Sequence, residues 1–341
     1  MSPPIDDEPG APTLAEVAKL AGVSLKTASR AVNGERYVSS ATMDKVLHAA
    51  AMLGFRPNRL ARELRQGSRS SLIGMVVGDL SNPFYARVAG ALEKEVGSRG
   101  FHLITASTGE DPEAEQRLVE ELLERRVAAL VLVSTSRSHR YLAAADLRGT
   151  PIVFLDRPPV GLLADTVLLD NRAGARMAVE HLISHGHRQI GLIGDLAHIS
   201  THQERLRGYV DALTASGIDG WEAYVREDAH DIRTAKNITA AMLAQGRPPT
   251  AIFTANSRIT IGALNAMNRL HRAPALIGFD DFELSEVLEV SVVAHDMERM
   301  GAEGAALVLA RLAGGAEETR RVTIPCRIVA RGSGEREPRW R

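Results

Sequence analysis

The sequence holds a single cysteine, Cys326, in 341 residues. An intrachain disulfide is therefore excluded, and a reducing cytoplasm is the natural setting. There is no apolar run near the roughly 20 residues that a bilayer-spanning helix needs. The first ten residues carry Asp6, Asp7 and Glu8 among three prolines. They lack the basic start and apolar stretch of a signal peptide, so a disordered tail is expected over 1–11. Catalytic signatures are missing as well. No Gly-x-Gly-x-x-Gly follows the first apolar run, and no Walker-type phosphate loop occurs. His295-Asp296 with a distant serine would invite a hydrolase triad, but no Gly-x-Ser-x-Gly elbow accompanies it. No repeat of 20–50 residues is visible. The expectation is a protein that is not an enzyme and needs no cofactor.

What is present is an uneven charge. The whole chain has net charge −1, yet residues 12–69 contain ten Lys or Arg against four Asp or Glu, a net +6. A basic module on a mildly acidic body points to a polyanionic partner for the module alone, although a basic solvated surface would look the same.

That module reads as short helices. Thr13 and Glu16 have capping-box spacing. Leu14, Val17, Ala18 and Ala21 follow at helical spacing on one face. Gly22 breaks the helix, Ser24 can cap a second one from Leu25 to about Val32, and Gly34 closes it. A third helix starts near Ser39 or Ser40 and stops at Gly54. Two short helices, a glycine turn and a Ser-capped second helix describe a helix-turn-helix. The second helix of such a motif enters the DNA major groove by its N-terminal residues. Lys26 and Arg30 can donate to guanine O6 and N7, Leu25 can meet a thymine methyl, and Ser29 can hold phosphate or base. Ala18, Val23, Ala28 and Val32 are the expected small core. A helical interaction module is the bland alternative.

From residue 72 the pattern changes. Apolar runs of strand length at 72–77, 101–106, 128–133, 151–155, 189–194, 250–254 and 275–279 alternate with amphipathic stretches at 82–99, 112–125, 171–184, 203–216, 234–245 and 259–270. Buried strands alternating with helices mean parallel sheets in an α/β fold. About 270 residues of it suggest two lobes.

Residues 13–33 resemble the head of the LacI/GalR (lactose/galactose repressor) family of bacterial transcriptional regulators. The likeness continues through Gly54-Phe55-Arg56-Pro57-Asn58, Ile73-Gly74, Ser81-Asn82-Pro83-Phe84-Tyr85, Asp156-Arg157, Asp170-Asn171, Gly186-His187-Arg188, Glu204 to Gly208, and Gly278-Phe279-Asp280-Asp281. The resemblance implies an α/β fold class: an N-terminal all-α helix-turn-helix head and a bilobed, periplasmic-binding-protein-like core of two parallel-sheet lobes. It implies a head at 12–57, a hinge and linker at 58–71, an effector-binding and dimerisation body at 72–333, and a polar tail at 334–341. The DNA-binding residues so implied are Leu25, Lys26, Thr27, Ser29, Arg30, Asn33, Asn58, Arg59 and Leu64. Leu64 matches the family's minor-groove wedge, or else packs a small helix on its own body. The implied ligand residues are Phe84, Asp156, Arg157, Arg205, Asn256 and Asp280. Asp156 and Asp280 also read as loop caps, Asn256 as a turn residue and Arg205 as an interlobe ion pair. The expected partners are a double-stranded DNA operator, a sugar-like effector and a second copy of the chain, without a membrane. The expected function is a cytoplasmic, ligand-responsive repressor acting as a homodimer. The alternative is a soluble sugar-binding receptor or enzyme on the same body, which would call for an export signal or a catalytic constellation.

Two departures stand out. Many relatives have Asn-Asp where this chain has Asn256-Ser257. The family's usual Pro and Thr are replaced over 290–296, a segment that lines the cleft mouth in relatives. His181, His185 and His187 look like a metal cluster, but no carboxylate nearby in sequence is placed as their partner, so a histidine-rich helix end is expected. Cys326 reads as a core residue.

Overall fold

A computed structural model describes residues 12–35, 37–55, 70–142, 149–315 and 318–338. The chain divides into two compact units, with the boundary between Ser70 and Ser71. The expected tail over 1–11, the hinge residues Asn58, Arg59 and Leu64, and the last three residues of the expected polar tail lie outside the described residues.

The first unit has three helices, α1 (Leu14–Ala21), α2 (Leu25–Val32) and α3 (Ser40–Leu53). Their ends follow from local chemistry. Thr13 accepts from the Glu16 amide and the Glu16 carboxylate accepts from the Thr13 amide at 2.7 Å, completing the capping box. Gly22 takes a left-handed conformation, φ +66°, which turns the chain into Ser24. Ser24 Oγ accepts from the Thr27 amide, and Ser39 rather than Ser40 caps α3. Helix α2 ends at Val32 with Asn33 as its C-cap, and Gly34 follows in the left-handed region at φ +69°. The core is made of small side chains. Val17, Ala18, Ala28, Ala31, Val46, Ala49 and Ala50 are buried, while Val23 and Val32 are only partly so.

The second unit begins β1 (Leu72–Val77), α4 (Pro83–Gly97), β2 (His102–Ser107), α5 (Pro112–Glu124), β3 (Ala129–Leu132), β4 (Ile152–Leu155) and β5 (Asp165–Leu169). It continues with α6 (Asn171–Ser184), β6 (Ile190–Ile193), α7 (Ser200–Ala215), β7 (Val225–Arg226), α8 (Ile232–Leu243), β8 (Ala251–Thr254), α9 (Ser257–Leu270) and β9 (Ala275–Phe279). It closes with β10 (Ser291–His295), α10 (Met297–Leu312), β11 (Arg321–Ile324) and β12 (Cys326–Val329). One sheet runs β11-β5-β4-β3-β1-β2 and is parallel throughout. The other runs β12-β10-β9-β8-β6-β7, antiparallel only where β12 meets β10. Each sheet centres one lobe. The chain crosses between the lobes at Asp170, at Asp296 and at Pro325. Residues 291–295, where the family's usual Pro and Thr are replaced, form a fully buried strand, because Val292, Val293 and Ala294 fill the second lobe's core. Helix α7 starts at Ser200, three residues before the expected stretch 203–216, so Arg205 sits in its second turn.

Three helix pairs, α6 with α7, α8 with α9 and α4 with α10, cover the sheets. Each pair meets at a glycine. A Cβ on Gly208 would strike the Arg172 carbonyl, on Gly262 the Ile232 carbonyl, and on Gly301 the Val88 carbonyl. These approaches are backbone to backbone, so no side-chain rearrangement could relieve them. Gly208→Ala should therefore lower stability by about 1–3 kcal/mol despite alanine's better helix propensity. Thermal unfolding of the variant checks this, and an unchanged or raised midpoint would contradict the close packing.

Candidate functional site

On the head, Ala28 and Ala31 face the core, and the rest of α2 is left to solvent or partly so. Lys26 is exposed and Leu25 is 55% exposed. Thr27 Oγ1 bonds Ser24 Oγ at 2.9 Å, and Asn33 Nδ2 donates to Ser29 Oγ at 3.4 Å. Arg30 lies 3.6 Å from Glu35, with both side chains nearly half exposed. Such a pair is weak and easily exchanged for another anion. Sequence reasoning did not single out Glu35, or Tyr37, which is 89% exposed in the loop before α3.

In the second unit, side chains at the carboxyl ends of strands converge from both sheets. Asp79 follows β1, Glu110 follows β2, and Asp156 and Arg157 follow β4. Asp195 follows β6, Asn256 follows β8 and Asp280 follows β9. All of them line one interlobe cavity of about 30 Å³, together with Phe84, Tyr85, Thr201, Arg205, His230 and Arg258. All six ligand residues expected from the sequence are thus brought together. Ligands of open α/β sheets bind at such strand ends.

Each charge is positioned by a specific partner. Arg205 Nε donates to Asn171 Oδ1 at 2.8 Å, Nη1 donates to the Ala255 carbonyl, and the guanidinium lies 3.7 Å from the Phe279 ring centroid. Nη2 has no protein acceptor among the described residues, and no carboxylate pairs with Arg205, so it is not the interlobe ion pair that one reading allowed. That pair is Arg258 with Asp79, at 2.5 Å. Asp280, at φ +76°, accepts from His295 at 2.9 Å and from the Ser257 amide. Burial opposes its ionisation, but His295 and Arg205 hold its carboxyl below the usual range. Asp156, also left-handed at φ +64°, differs. Burial pushes its carboxyl up against the pull of Arg157 and Arg205, and its Oδ1 is buried without a partner. Arg157 is clamped by both oxygens of Glu110, at 2.6 and 2.7 Å, and donates to Tyr85. Asn256 caps α9 through Oδ1 and donates through Nδ2 to Asp195 at 2.7 Å, so its capping and cleft-lining readings both hold. Phe84 is buried, edge-on to Tyr85 and to His295.

Five charged or chargeable cleft residues escaped the sequence reading: Asp79, Glu110, Asp195, His230 and Arg258. Each follows a strand or opens a helix, but no short motif joins them. The histidine cluster resolves differently from its spacing. His181 bonds Glu335 at 2.5 Å, a carboxylate distant in sequence, and His187 is buried between Thr250 and the Arg336 carbonyl. Cys326 is half-buried in β12, and burial pushes its thiol up to about 12.

Residues 13–58 match the family described as bacterial regulatory proteins, lacI family, and residues 70–332 match the periplasmic binding proteins and sugar binding domain of LacI family. The chain belongs to the LacI family. It is 33% identical to the HTH-type transcriptional regulator GalR of Salmonella typhimurium over 304 residues, covering 87% of this chain and 89% of that protein. It is 30% identical to the ribose operon repressor of Haemophilus influenzae, covering 94% of this chain and 98% of that protein. Among solved structures, the lac repressor dimer bound to operator and the anti-inducer ONPF superposes with a TM-score of 0.79 at 27% identity, over 95% of this chain and 99% of that one. A transcriptional regulator CelR–cellobiose complex gives 0.71 at 30% identity, over 94% and 99%. These relatives are transcriptional regulators, and this LacI-family chain has their helix-turn-helix head and their bilobed body. No helix among the described residues is long and apolar enough to cross a membrane.

The cleft carries a pH dependence of stability. The hydrogen bond to Asp195, 2.7 Å long, raises the His230 pKa against the effect of burial. Asp195 stays below the usual range although burial opposes it. The raised histidine adds stability that is complete below its unfolded value near 6.5 and is lost as pH rises through the folded value. The lowered carboxylate adds stability that is complete above about pH 4 and is lost on acidification. The destabilisation caused by His230→Asn should therefore be largest near about pH 5 and shrink towards about pH 9. Denaturant unfolding across that range checks it, and a penalty independent of pH would refute the pairing.

Proposed function

We propose that this chain is a ligand-responsive, sequence-specific repressor. As a homodimer in the cytoplasm it reads a pseudo-palindromic operator, and a sugar-like effector occupies the interlobe cleft. The observation that carries the effector reading is the unspent hydrogen-bonding capacity inside an otherwise paired site. Arg205 Nη2 and Asp156 Oδ1 have no protein partner among the described residues, one a donor and the other an acceptor. A polyol hydroxyl can serve both at once. Asp280, Asn256, Arg157 and Phe84 frame them. The CelR complex with cellobiose supports a carbohydrate in this kind of cleft.

On the head, Leu25, Lys26, Thr27, Ser29, Arg30 and Asn33 are the DNA-reading residues. Asn58, Arg59 and Leu64 complete the readout from the hinge, with Leu64 wedged into the minor groove. The lac repressor dimer on its operator supports both the partner and the stoichiometry. Leu284, Val287 and Leu288, each exposed on the second lobe, supply apolar surface for a second copy. Effector binding shifts the lobes between two states of different operator affinity.

Two measurements test this. At fixed salt, Arg30→Ala should weaken binding to the selected operator by about 1–3 kcal/mol and relax discrimination at one position. Full affinity with full discrimination would remove Arg30 from the interface. Arg205→Gln should keep operator binding but lose release by whichever sugar or nucleoside stabilises the wild type in a thermal-shift screen. Undiminished release would place the effector elsewhere.

A further inference from the structure

The inner cavity, about 30 Å³, is small for the ligand assigned to it. One water needs roughly 10–15 Å³, so the cavity admits about two water-sized groups between the lobes. The hydroxyl-bearing end of a sugar is larger than that. It reaches Asp156 and Arg205 only after the walls have moved apart.

Few polar bonds oppose that movement. The three crossovers tie the lobes through the backbone and leave them hinged. Away from the crossovers, Asp79 with Arg258 is the one hydrogen bond or ion pair between described residues that joins the two lobes. The other ion pairs of the cleft, Arg157 with Glu110, His230 with Asp195 and His295 with Asp280, each stay within a lobe.

Both ends of the pair are firmly seated. Asp79 Oδ1 accepts from the Ser81 amide at 2.9 Å, while Oδ2 accepts from Arg258 Nη1 at 2.5 Å. The chain then passes through Asn82, the cap of α4, to Phe84 in the first turn of that helix. Arg258 is the second residue of α9. Just before it, Asn256 caps α9 and bonds Asp195, and the Ser257 amide bonds Asp280. The pair therefore connects the helix start that carries Phe84 to the helix start that holds Asn256 and Asp280. The two side chains are 17% and 26% exposed. That shelters the contact, yet water can take over each ion as they separate.

We infer that Asp79 and Arg258 form a releasable latch, which keeps the cleft shut without effector and whose parting admits the ligand. The latch regulates the cleft proposed above as the effector site and rests on that reading. A single part-exposed pair keeps the open and closed states close in energy, so a ligand that prefers one of them can move the balance.

The test measures the separation of the lobes in the full chain with no ligand added. Arg137 and Gln203 are exposed and line the outer chamber from the first and second lobe. Spin labels on Arg137→Cys and Gln203→Cys, with Cys326→Ser removing the native thiol, report the distance by pulsed dipolar spectroscopy. The open-to-closed ratio should rise at least about twofold in Arg258→Gln and in Asp79→Asn. Arg87→Gln, which breaks the Arg87–Glu298 pair inside the first lobe, should leave it unchanged. Raising sodium chloride from about 0.1 to about 1 M shortens the screening length from about 10 to about 3 Å, and should open the otherwise unaltered labelled chain but not Arg258→Gln. An unchanged ratio in both latch variants, an equal opening in Arg87→Gln, or a labelled chain indifferent to salt overturns the latch. The salt response decides the matter even where a variant fails to fold. An unmoved distance removes the latch and leaves the effector site standing. A moved distance, with undiminished operator release in Arg205→Gln, keeps the latch and places the effector elsewhere.

Discussion

Nine charged or chargeable side chains, five acids and four bases, meet where the two sheets point their carboxyl ends. Burying any one of them unpaired would be costly, and removing the partner of a buried ion typically costs about 3–5 kcal/mol. The arrangement of the cleft follows from that constraint. Arg157 takes Glu110, Arg258 takes Asp79, and His230 takes Asp195, while His295 reaches Asp280 from just outside the cavity lining. Arg205 is left over, and Asp156 has only the already clamped Arg157 beside it, at 3.9 Å. The site is close to electroneutral before any ligand enters, and its residual demand is for hydrogen bonds.

The same pairings divide into those that stay within a lobe and one that does not. Arg157 and Glu110 both follow strands of the first sheet, and Asp195, His230 and Asn256 belong to the second. Their geometry survives any change in lobe separation. Asp79 and Arg258 sit on opposite lobes, so their bond exists only while the lobes are close. Partial exposure lets water take over both ions as they part, which keeps the cost of opening modest. A cleft built from rigid half-sites joined by one exchangeable ion pair suits a protein that must adopt two states of similar energy.

The parts of this molecule legible in sequence are those governed by local chemistry. Thr13, Ser24 and Gly22 mark the head helices because a cap or a left-handed turn is a property of three or four adjacent residues. Strands β1 and β9 match their apolar runs residue for residue, since both are buried on two faces. Strands β11 and β12 were not recognised because they lie at sheet edges and keep polar residues such as Arg321 and Arg327. Helix α10 was missed because Gly301 and Gly304 argue against a helix when read locally. Their lack of side chains instead lets α10 approach Val88 and Leu155. Asp195 and Glu110 were invisible because a charge after a strand has meaning only once the facing lobe is known.

The departure at Asn256-Ser257 shows how far such a substitution can be misread from sequence. The missing carboxylate suggests a cleft edge deprived of negative charge. In the folded chain Asp195 reaches that edge from β6, accepts from Asn256, and is itself held by His230. Ser257 contributes its amide to Asp280 in place of a side chain. That edge of the cleft therefore does carry a carboxylate, and the adjacent Arg258 turns towards Asp79. What the substitution alters is the shape and direction of the acceptors around Asn256, a property that selects among polyols by hydroxyl geometry more than by charge.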